Sequence, residues 1–361
     1  MNAIDSLAQA GTVTWLDDLS RDRIETGNLA EIITTKSVVG VTTNPAIFAA
    51  AMSHGTAYDA QIAELKAAGT SADHAVYAMS IADVQAACDL FADIYAASGG
   101  KDGRVSIEVD PRISEDTDAT LAQAKELWRT VNRPNVMIKI PATPGSLPAV
   151  TAALAEGISV NVTLIFSVVR YREVINAFID GINQAKANGK DVSTIHSVAS
   201  FFVSRLDTEV DKRLAAIGTE EALALQGKAG VANTRLAYAA FLEHLADGTK
   251  LPAGANVQRP LWASTGVKNP DYSPTLYVTE LAGPNTVNTM PEATIDAVMA
   301  ADDVHGDALT GTKAESEATM AALTAVGINF DDVFETLERE GVEKFVAAWQ
   351  DLLDSMNARL A

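Results

Sequence analysis

Apolar residues in this chain fall into short β-branched runs separated by longer stretches with helical spacing. The strand-like runs are TVTWLD (12–17), SVVGVTT (37–43), RVSIEVD (104–110), VMIKIPA (136–142), SVNVTLIF (159–166), TIHSVASF (194–201), RPLWAST (259–265) and TLYVTEL (275–281). Most are apolar on both pleat faces, the pattern of a parallel sheet covered by helices. Between them lie Ala-rich helical segments such as VVRYREVINAFIDGINQAKANG (168–189), whose Asn188-Gly189 marks a helix C-terminus. A 361-residue chain suits one large α/β barrel or two ordinary domains. Eight βα repeats without a Pro/Ser-rich linker favour a single-domain (β/α)8 TIM barrel over residues 1–361, rather than a doubly wound sheet.

Two stretches exceed a minimal barrel. The segment between the second and third runs is far longer than a βα loop needs, so extra helices at about 50–66 and 71–98 are expected to cover part of the barrel. At the C-terminal end, GVEKFVAAWQDLLDSM (341–356) puts Val342, Phe345, Val346, Trp349, Leu352 and Leu353 on one helix face. That face should pack on the barrel or on a partner subunit, which makes it a candidate interface of a homo-oligomer.

Charge narrows the partners. With 27 Lys and Arg against 47 Asp and Glu, the net charge is −20, so the summed field repels nucleic acid and anionic membrane. An anionic ligand must be caught by a few local cations. The single cysteine, Cys88, excludes an intramolecular disulfide and a Cys-based zinc cluster, and in ADVQAACDLF it reads as a buried helix residue. The five histidines, His54, His74, His196, His244 and His305, form no ligand-spaced cluster. The start lacks a basic segment followed by an apolar core, and no run reaches about 18 apolar residues. A soluble, cytoplasmic protein is expected.

Polar residues inside the strand runs are the informative exceptions, because a barrel interior is filled by bulky apolar side chains. The first run ends in Leu16-Asp17-Asp18 and the second in Thr42-Thr43-Asn44. The third carries Glu108 and Asp110, the fourth Lys139, the fifth Asn161 and Thr163, and the sixth Ser200, with Arg205 just beyond in SFFVSR. Each has a structural alternative. Asp17 or Asp18 can cap the helix of SRDRIETG. Thr42-Thr43-Asn44-Pro45 can be a turn. Glu108 or Asp110 can pair with Arg112, and Arg205 with Asp207 or Glu209. Lys139 can be a buried cation satisfied by Glu108. Taken together the alternatives fail, since a purely structural interior needs no lysine, carboxylates, amides and hydroxyls on successive strands.

The chemistry those groups allow is narrow. Burial disfavours a charged amine, and a neutral lysine amine attacks carbonyls. Carbinolamine formation and dehydration then require proton transfers, which Glu108 on the adjoining strand can supply, with Thr163 holding a water. Asp17 can remove a hydroxyl proton as a carbon–carbon bond breaks. The iminium itself drains electrons from that bond, so neither metal nor cofactor is required. Arg205, and Lys268 in GVKNPDYSP, are candidates to clamp a phosphate near the later strands, where barrels commonly bind one.

Six motifs in order carry a resemblance: GVTTNPAIF (40–48), VSIEVDPR (105–112), MIKIPAT (137–143), GISVNVTLIFS (157–167), SFFVSR (200–205) and WASTGVKN (262–269). From about Asp17 to Phe345 the chain resembles the transaldolase family, Schiff-base enzymes of the pentose phosphate pathway, in the longer form typical of actinobacteria and related bacteria. The resemblance implies a (β/α)8 barrel. Lys139 is implied as the Schiff-base lysine, Asp17 as the carboxylate that deprotonates the C4 hydroxyl, and Glu108 with Thr163 as the relay through a water. Asn44, Asn161 and Ser200 match residues that hold the dihydroxyacetone portion, and Thr42 and Phe202 fall among the substrate-binding positions. Arg205 matches the phosphate-binding arginine, and Lys268 stands where relatives carry a second cation, usually arginine, with loss of bidentate geometry.

The reaction implied is transfer of dihydroxyacetone from sedoheptulose 7-phosphate or fructose 6-phosphate to glyceraldehyde 3-phosphate or erythrose 4-phosphate. Two alternatives remain. A fructose 6-phosphate aldolase would release free dihydroxyacetone, but those relatives use a tyrosine acid and lack the glutamate, whereas Glu108 is present here and Phe202 occupies the matching site. A non-catalytic sugar-phosphate-binding barrel should have lost Lys139, Asp17 or Glu108.

Overall fold

Eight parallel strands close into a barrel in strict chain order: β1 (Thr12–Leu16), β2 (Gly40–Val41), β3 (Arg104–Glu108), β4 (Val136–Pro141), β5 (Val160–Ile165), β6 (Ser197–Phe202), β7 (Arg259–Ala263) and β8 (Thr286–Met290). The computed structural model describes residues 2–53 and 55–361. His54 lies outside the described residues. The ring shuts where β1 pairs with β8, in register from Thr12 with Thr286 to Leu16 with Met290. Helices follow each strand and bury the outward pleat face, so the strands read as apolar on both sides. Among the described residues no helix is long and apolar enough to cross a membrane.

Seven of the strand-like runs coincide with strands. The eighth does not: TLYVTEL contains the short helix Leu276–Thr279, and the strand is TVNTM at 286–290. The error has a physical cause. Tyr277, Val278 and Leu281 are buried, and a short apolar run looks the same whether it is a buried helical turn or a buried strand. The true β8 is mostly polar, and the side chains of Thr286 and Asn288 donate to backbone outside the strand. Thr286 Oγ1 donates to the Gly283 carbonyl at 2.7 Å, and Asn288 Nδ2 donates to the Tyr277 carbonyl at 3.0 Å.

The stretch between β2 and β3 forms four helices, Pro45–Ser53, Asp59–Ala67, Ala72–Leu90 and Ala92–Ala97, where two were expected. The helix Val168–Ala187 ends at Asn188, followed by Gly189 in the left-handed region at φ +75°. At the C-terminal end one helix runs from Phe330 to Leu360. Its apolar face packs on the protein's own barrel and covering helices: Trp349 meets Tyr77 at a ring separation of 5.0 Å. A Cβ on Gly341 would come within 3.3 Å of Leu164 and Phe166, so this glycine sets how closely the helix approaches the end of β5.

Packing under the mouth is equally tight at the start of β2. A Cβ on Gly40 would lie 2.7 Å from atoms of the fully buried Trp15 indole. Gly40→Ala is therefore expected to overpack the barrel and cost about 1–3 kcal/mol, read as a lower midpoint in chemical denaturation.

Candidate active site

Polar side chains gather at the C-terminal mouth of the barrel because consecutive strands deliver them in register. Glu108 on β3 stands opposite Lys139 on β4, and Lys139 opposite Asn161 on β5. Lys139 is buried. Its Nζ donates to the Thr43 backbone carbonyl at 2.8 Å and lies 3.4 Å from Glu108 Oε2. The second distance is an ion pair without hydrogen-bond geometry, since Glu108 Oε2 has no hydrogen-bond partner. Burial raises the Glu108 carboxyl above its ordinary 4.5, and the Lys139 charge opposes that rise.

Asp17 enters from the end of β1. Thr42 Oγ1 donates to Asp17 Oδ1 at 2.8 Å and also lies 2.6 Å from Thr289 Oγ1 on β8, so strands one, two and eight are tied at this point. Burial raises the Asp17 carboxyl above 3.8 against the opposing charge of Lys139. Neither Asp17 nor Asp18 caps a helix. Ser20 caps the helix Arg21–Glu25, and Asp18 pairs with Arg23 at 2.7 Å. Asn44 does act as a cap, its Oδ1 accepting from Ile47 N at 3.0 Å, which leaves Nδ2 as a donor at the mouth.

Lys139, Asp17, Thr42, Asn44, Thr163, Ser200, Phe202, Arg205 and Lys268 all line one cavity of about 240 Å³. Asn161 and Glu108 do not line it; Asn161 lies fully buried behind Ser200, and Glu108 beside Lys139. Asn161 Oδ1 accepts from Ser200 Oγ at 2.7 Å, and Asn161 Nδ2 donates to Ser106 Oγ at 3.1 Å, so this amide orients Ser200. Thr163 precedes a register shift between β5 and β6, with Leu164 at φ +59°. Ser264, just past β7, is also left-handed at φ +56°. Such backbone costs energy in non-glycine residues and collects at functional rims.

Arg205 has none of the partners expected of a structural charge. Asp207 accepts from Gly230 N and from the Tyr277 hydroxyl, and Glu209 pairs with Lys212 and Arg213. The Arg205 guanidinium lies 5.1 Å from the Phe202 ring and 5.9 Å from the Phe345 ring. Burial lowers its pKa, and the charges of Asp17 and Glu108 resist the fall. Lys268 is exposed and has no ion-pair or hydrogen-bond partner among the described residues. It borders both the mouth and an adjoining cavity of about 230 Å³ that also includes Arg205, Glu340 and Lys344. Asp110, by contrast, is structural: it pairs with Arg112 at 2.6 Å and caps the turn Pro111–Ile113.

Three buried polar atoms here have no hydrogen-bond partner: Glu108 Oε2, Thr163 Oγ1 and Arg205 Nη1. Native structures rarely leave such atoms unmatched, so Thr163 and Arg205, which line the cavity, with Glu108 behind Lys139, mark where a polar ligand or ordered water is accommodated. Sequence reasoning missed two contributors. Thr289 was hidden because β8 was misplaced. Phe345 had been assigned to packing, yet it lines the cavity, with its ring centre 6.0 Å from Lys139 Nζ. No group of three or more His, Cys, Asp or Glu among the described residues is arranged to hold a metal ion.

A buried lysine beside a buried carboxyl, with a second carboxyl and an arginine at the mouth of a closed parallel barrel, is an arrangement suited to carbonyl chemistry at an amine. The Transaldolase/Fructose-6-phosphate aldolase family model matches residues 14–356. A transaldolase of Mycolicibacterium smegmatis is 61% identical over 358 residues, covering 98% of this chain and 96% of that protein. Transaldolases of Mycobacterium leprae and Mycobacterium tuberculosis are 60% and 58% identical over 359 residues, with the same coverage. The chain belongs to the transaldolase/fructose-6-phosphate aldolase family.

The helix Ser204–Ile217, which carries Arg205, is pinned by the deeply buried Asp207, whose carboxyl burial raises to about 6 from its ordinary 3.8. A raised acid pKa favours the folded state most when the group is protonated. Its contribution, about 3 kcal/mol, is complete below 3.8 and lost as pH rises through 6. Asp207→Asn is expected to flatten the pH dependence of stability between those values, measured by denaturation at a series of pH values.

Proposed function

We propose that the protein is a transaldolase that moves a dihydroxyacetone unit from a ketose phosphate to an aldose phosphate through a Schiff base on Lys139. The observation that carries this reading is Lys139 Nζ 3.4 Å from a buried Glu108 carboxyl held above its ordinary range. Such a carboxyl readily accepts the ammonium proton. The freed amine adds to the donor's C2 carbonyl, and loss of water from the carbinolamine, with Glu108 returning a proton through a water held at Thr163, gives the iminium.

Asp17 then takes the C4 hydroxyl proton. The C3–C4 bond breaks, its electron pair passes into the iminium, and an aldose phosphate departs to leave an enamine on Lys139. An acceptor aldehyde reverses these steps, and water releases the new ketose phosphate. Asn44 and Ser200, the latter oriented by Asn161, hold the three-carbon unit. Thr42 fixes Asp17, and Arg205 with Lys268 receives the phosphate. Phe345 and Phe202 form apolar walls that keep water from the enamine.

Transfer is favoured over simple aldol cleavage because Glu108 supplies the acid beside Lys139, whereas Phe202 places an unreactive ring where an aldolase of this family would carry a phenol. The same reading makes residues 1–361 one catalytic domain acting in the cytoplasm on sedoheptulose 7-phosphate or fructose 6-phosphate. It is supported by the ring closing β1 on β8 and by the net charge of −20. With Trp349, Leu352 and Leu353 buried on the protein's own body, any homo-oligomer would use another face.

Borohydride reduction after incubation with fructose 6-phosphate is expected to add a reduced dihydroxyacetone mass to the peptide containing Lys139, and prior addition of erythrose 4-phosphate to discharge it. Lys139→Ala should stay folded, trap nothing and lose turnover. Absence of an adduct on the folded wild-type protein would refute the mechanism. Phe202→Tyr is expected to raise the fraction of donor turned over to free dihydroxyacetone, measured without an acceptor. An unchanged ratio would remove residue 202 from the acid position.

A further inference from the structure

The opposite pole of the barrel carries a second cationic cavity that the proposed reaction does not use. It has a volume of about 230 Å³, close to that of the mouth, and lies where strands begin rather than end. Met137 and Val198 form its apolar floor, while Lys101, His196, Asn256 and Arg259 supply polar groups. Arg104, at the start of β3, stands beside it. Three cations and one carboxylate, Asp102, leave a local charge of 3 − 1 = +2 on a protein whose net charge is −20.

This pole of a barrel usually serves stability, and Arg104 fits that role. Its Nε and Nη2 donate to the Gly100 carbonyl and its Nη1 to that of Pro134. The neighbouring donors are different. Arg259 is buried, and its Nη2 donates to the Lys101 carbonyl and to Asp102 Oδ1, but Nε and Nη1 have no partner among the described residues. The Lys101 ammonium has none either. His196 Nε2 lies 3.3 Å from Asn256 Nδ2, itself a donor to the carbonyls of Ser193 and Ile195. Both hydrogens of that amide are committed to those carbonyls, so the contact does not fix the imidazole tautomer, and His196 Nδ1 has no hydrogen-bond partner among the described residues.

The field is consistent with this reading. Burial, then the charges of Arg104, Arg259 and Lys101, push His196 down to about 3, so it remains a neutral donor across the physiological range. Like charges held together in a partly buried pocket repel, and a planar guanidinium, an ammonium and a neutral N–H together match the oxygens of a phosphoryl group.

We infer that the pocket between the starts of β3, β6 and β7 is a second anion site, which takes a small phosphate-bearing molecule through Lys101, Arg259 and His196. Two sources share that chemistry, a sugar phosphate and free phosphate. The site is distinct from the mouth, because Arg205 and Lys268 line the other end of the barrel.

Calorimetric titration of the Lys139→Ala/Arg205→Ala protein with inorganic phosphate and with fructose 6-phosphate tests the assignment, since that background lacks both the mouth's Schiff-base amine and its main phosphate contact. Binding should persist there. It should weaken about tenfold or more when Lys101→Glu is added, and recover with Lys101→Arg in its place. Fructose 6-phosphate binding more tightly than phosphate would identify a sugar phosphate as the ligand, and equal binding would identify phosphate alone. Absence of binding to the Lys139→Ala/Arg205→Ala protein, or an affinity untouched by both Lys101→Glu and Arg259→Gln, would overturn the proposal. Lys101 is exposed, so its variants decide the matter even if Arg259→Gln folds poorly.

Discussion

Everything at the mouth depends on keeping one ammonium group inside a barrel. Lys139 comes up on a fully buried strand, where an unpaired charge is costly. Its compensation is divided among the Thr43 carbonyl, the Glu108 carboxylate and the more distant charge of Asp17. None of these neutralises it completely. The carboxylates are themselves destabilised by burial, which pushes each towards holding a proton while the Lys139 charge opposes it. That balance is what a sequence of proton transfers requires.

The scaffold keeps the balance by making the surrounding wall rigid. Asn161 and Ser200 satisfy each other, Asn44 caps a helix, and Asp207 pins the segment that bears Arg205. Thr163 Oγ1 and Arg205 Nη1 are left unmatched on residues that line the cavity. The long helix Phe330–Leu360 completes the enclosure from above, with Gly341 allowing it close to β5 and Phe345 reaching the lysine. Binding groups and water exclusion thus come from opposite parts of the chain.

How much of this could be read from the residues alone follows from how local each signal is. Lys139, Glu108, Asn161 and Thr163 stood out because each interrupts an apolar strand, and their neighbours in sequence were enough to show the anomaly. Asp110 stood out in the same way and proved structural, since its partner Arg112 lies two residues away and no pattern separates that pair from a catalytic one. β8 was missed because Thr286 and Asn288 bond to backbone outside their own strand, while Tyr277 and Val278 imitated a strand in a helical turn. Phe345 was read as apolar packing, which is correct as far as it goes. Helical spacing reports that a face is covered but not what covers it.

Asp17 is held by Thr42, and Thr42 in turn meets Thr289, a residue 247 positions away along the chain. Contacts of such separation form late, because the loop they close is long and its entropy must be met before they stabilise anything. Asp17, the proposed proton acceptor, therefore sits at the seam of the cylinder, where the first strand meets the last. In the proposed mechanism, a barrel open at that seam would keep Lys139 but lack the aligned Asp17 that cleavage requires. Topology makes the sheet's closure a safety catch on the chemistry.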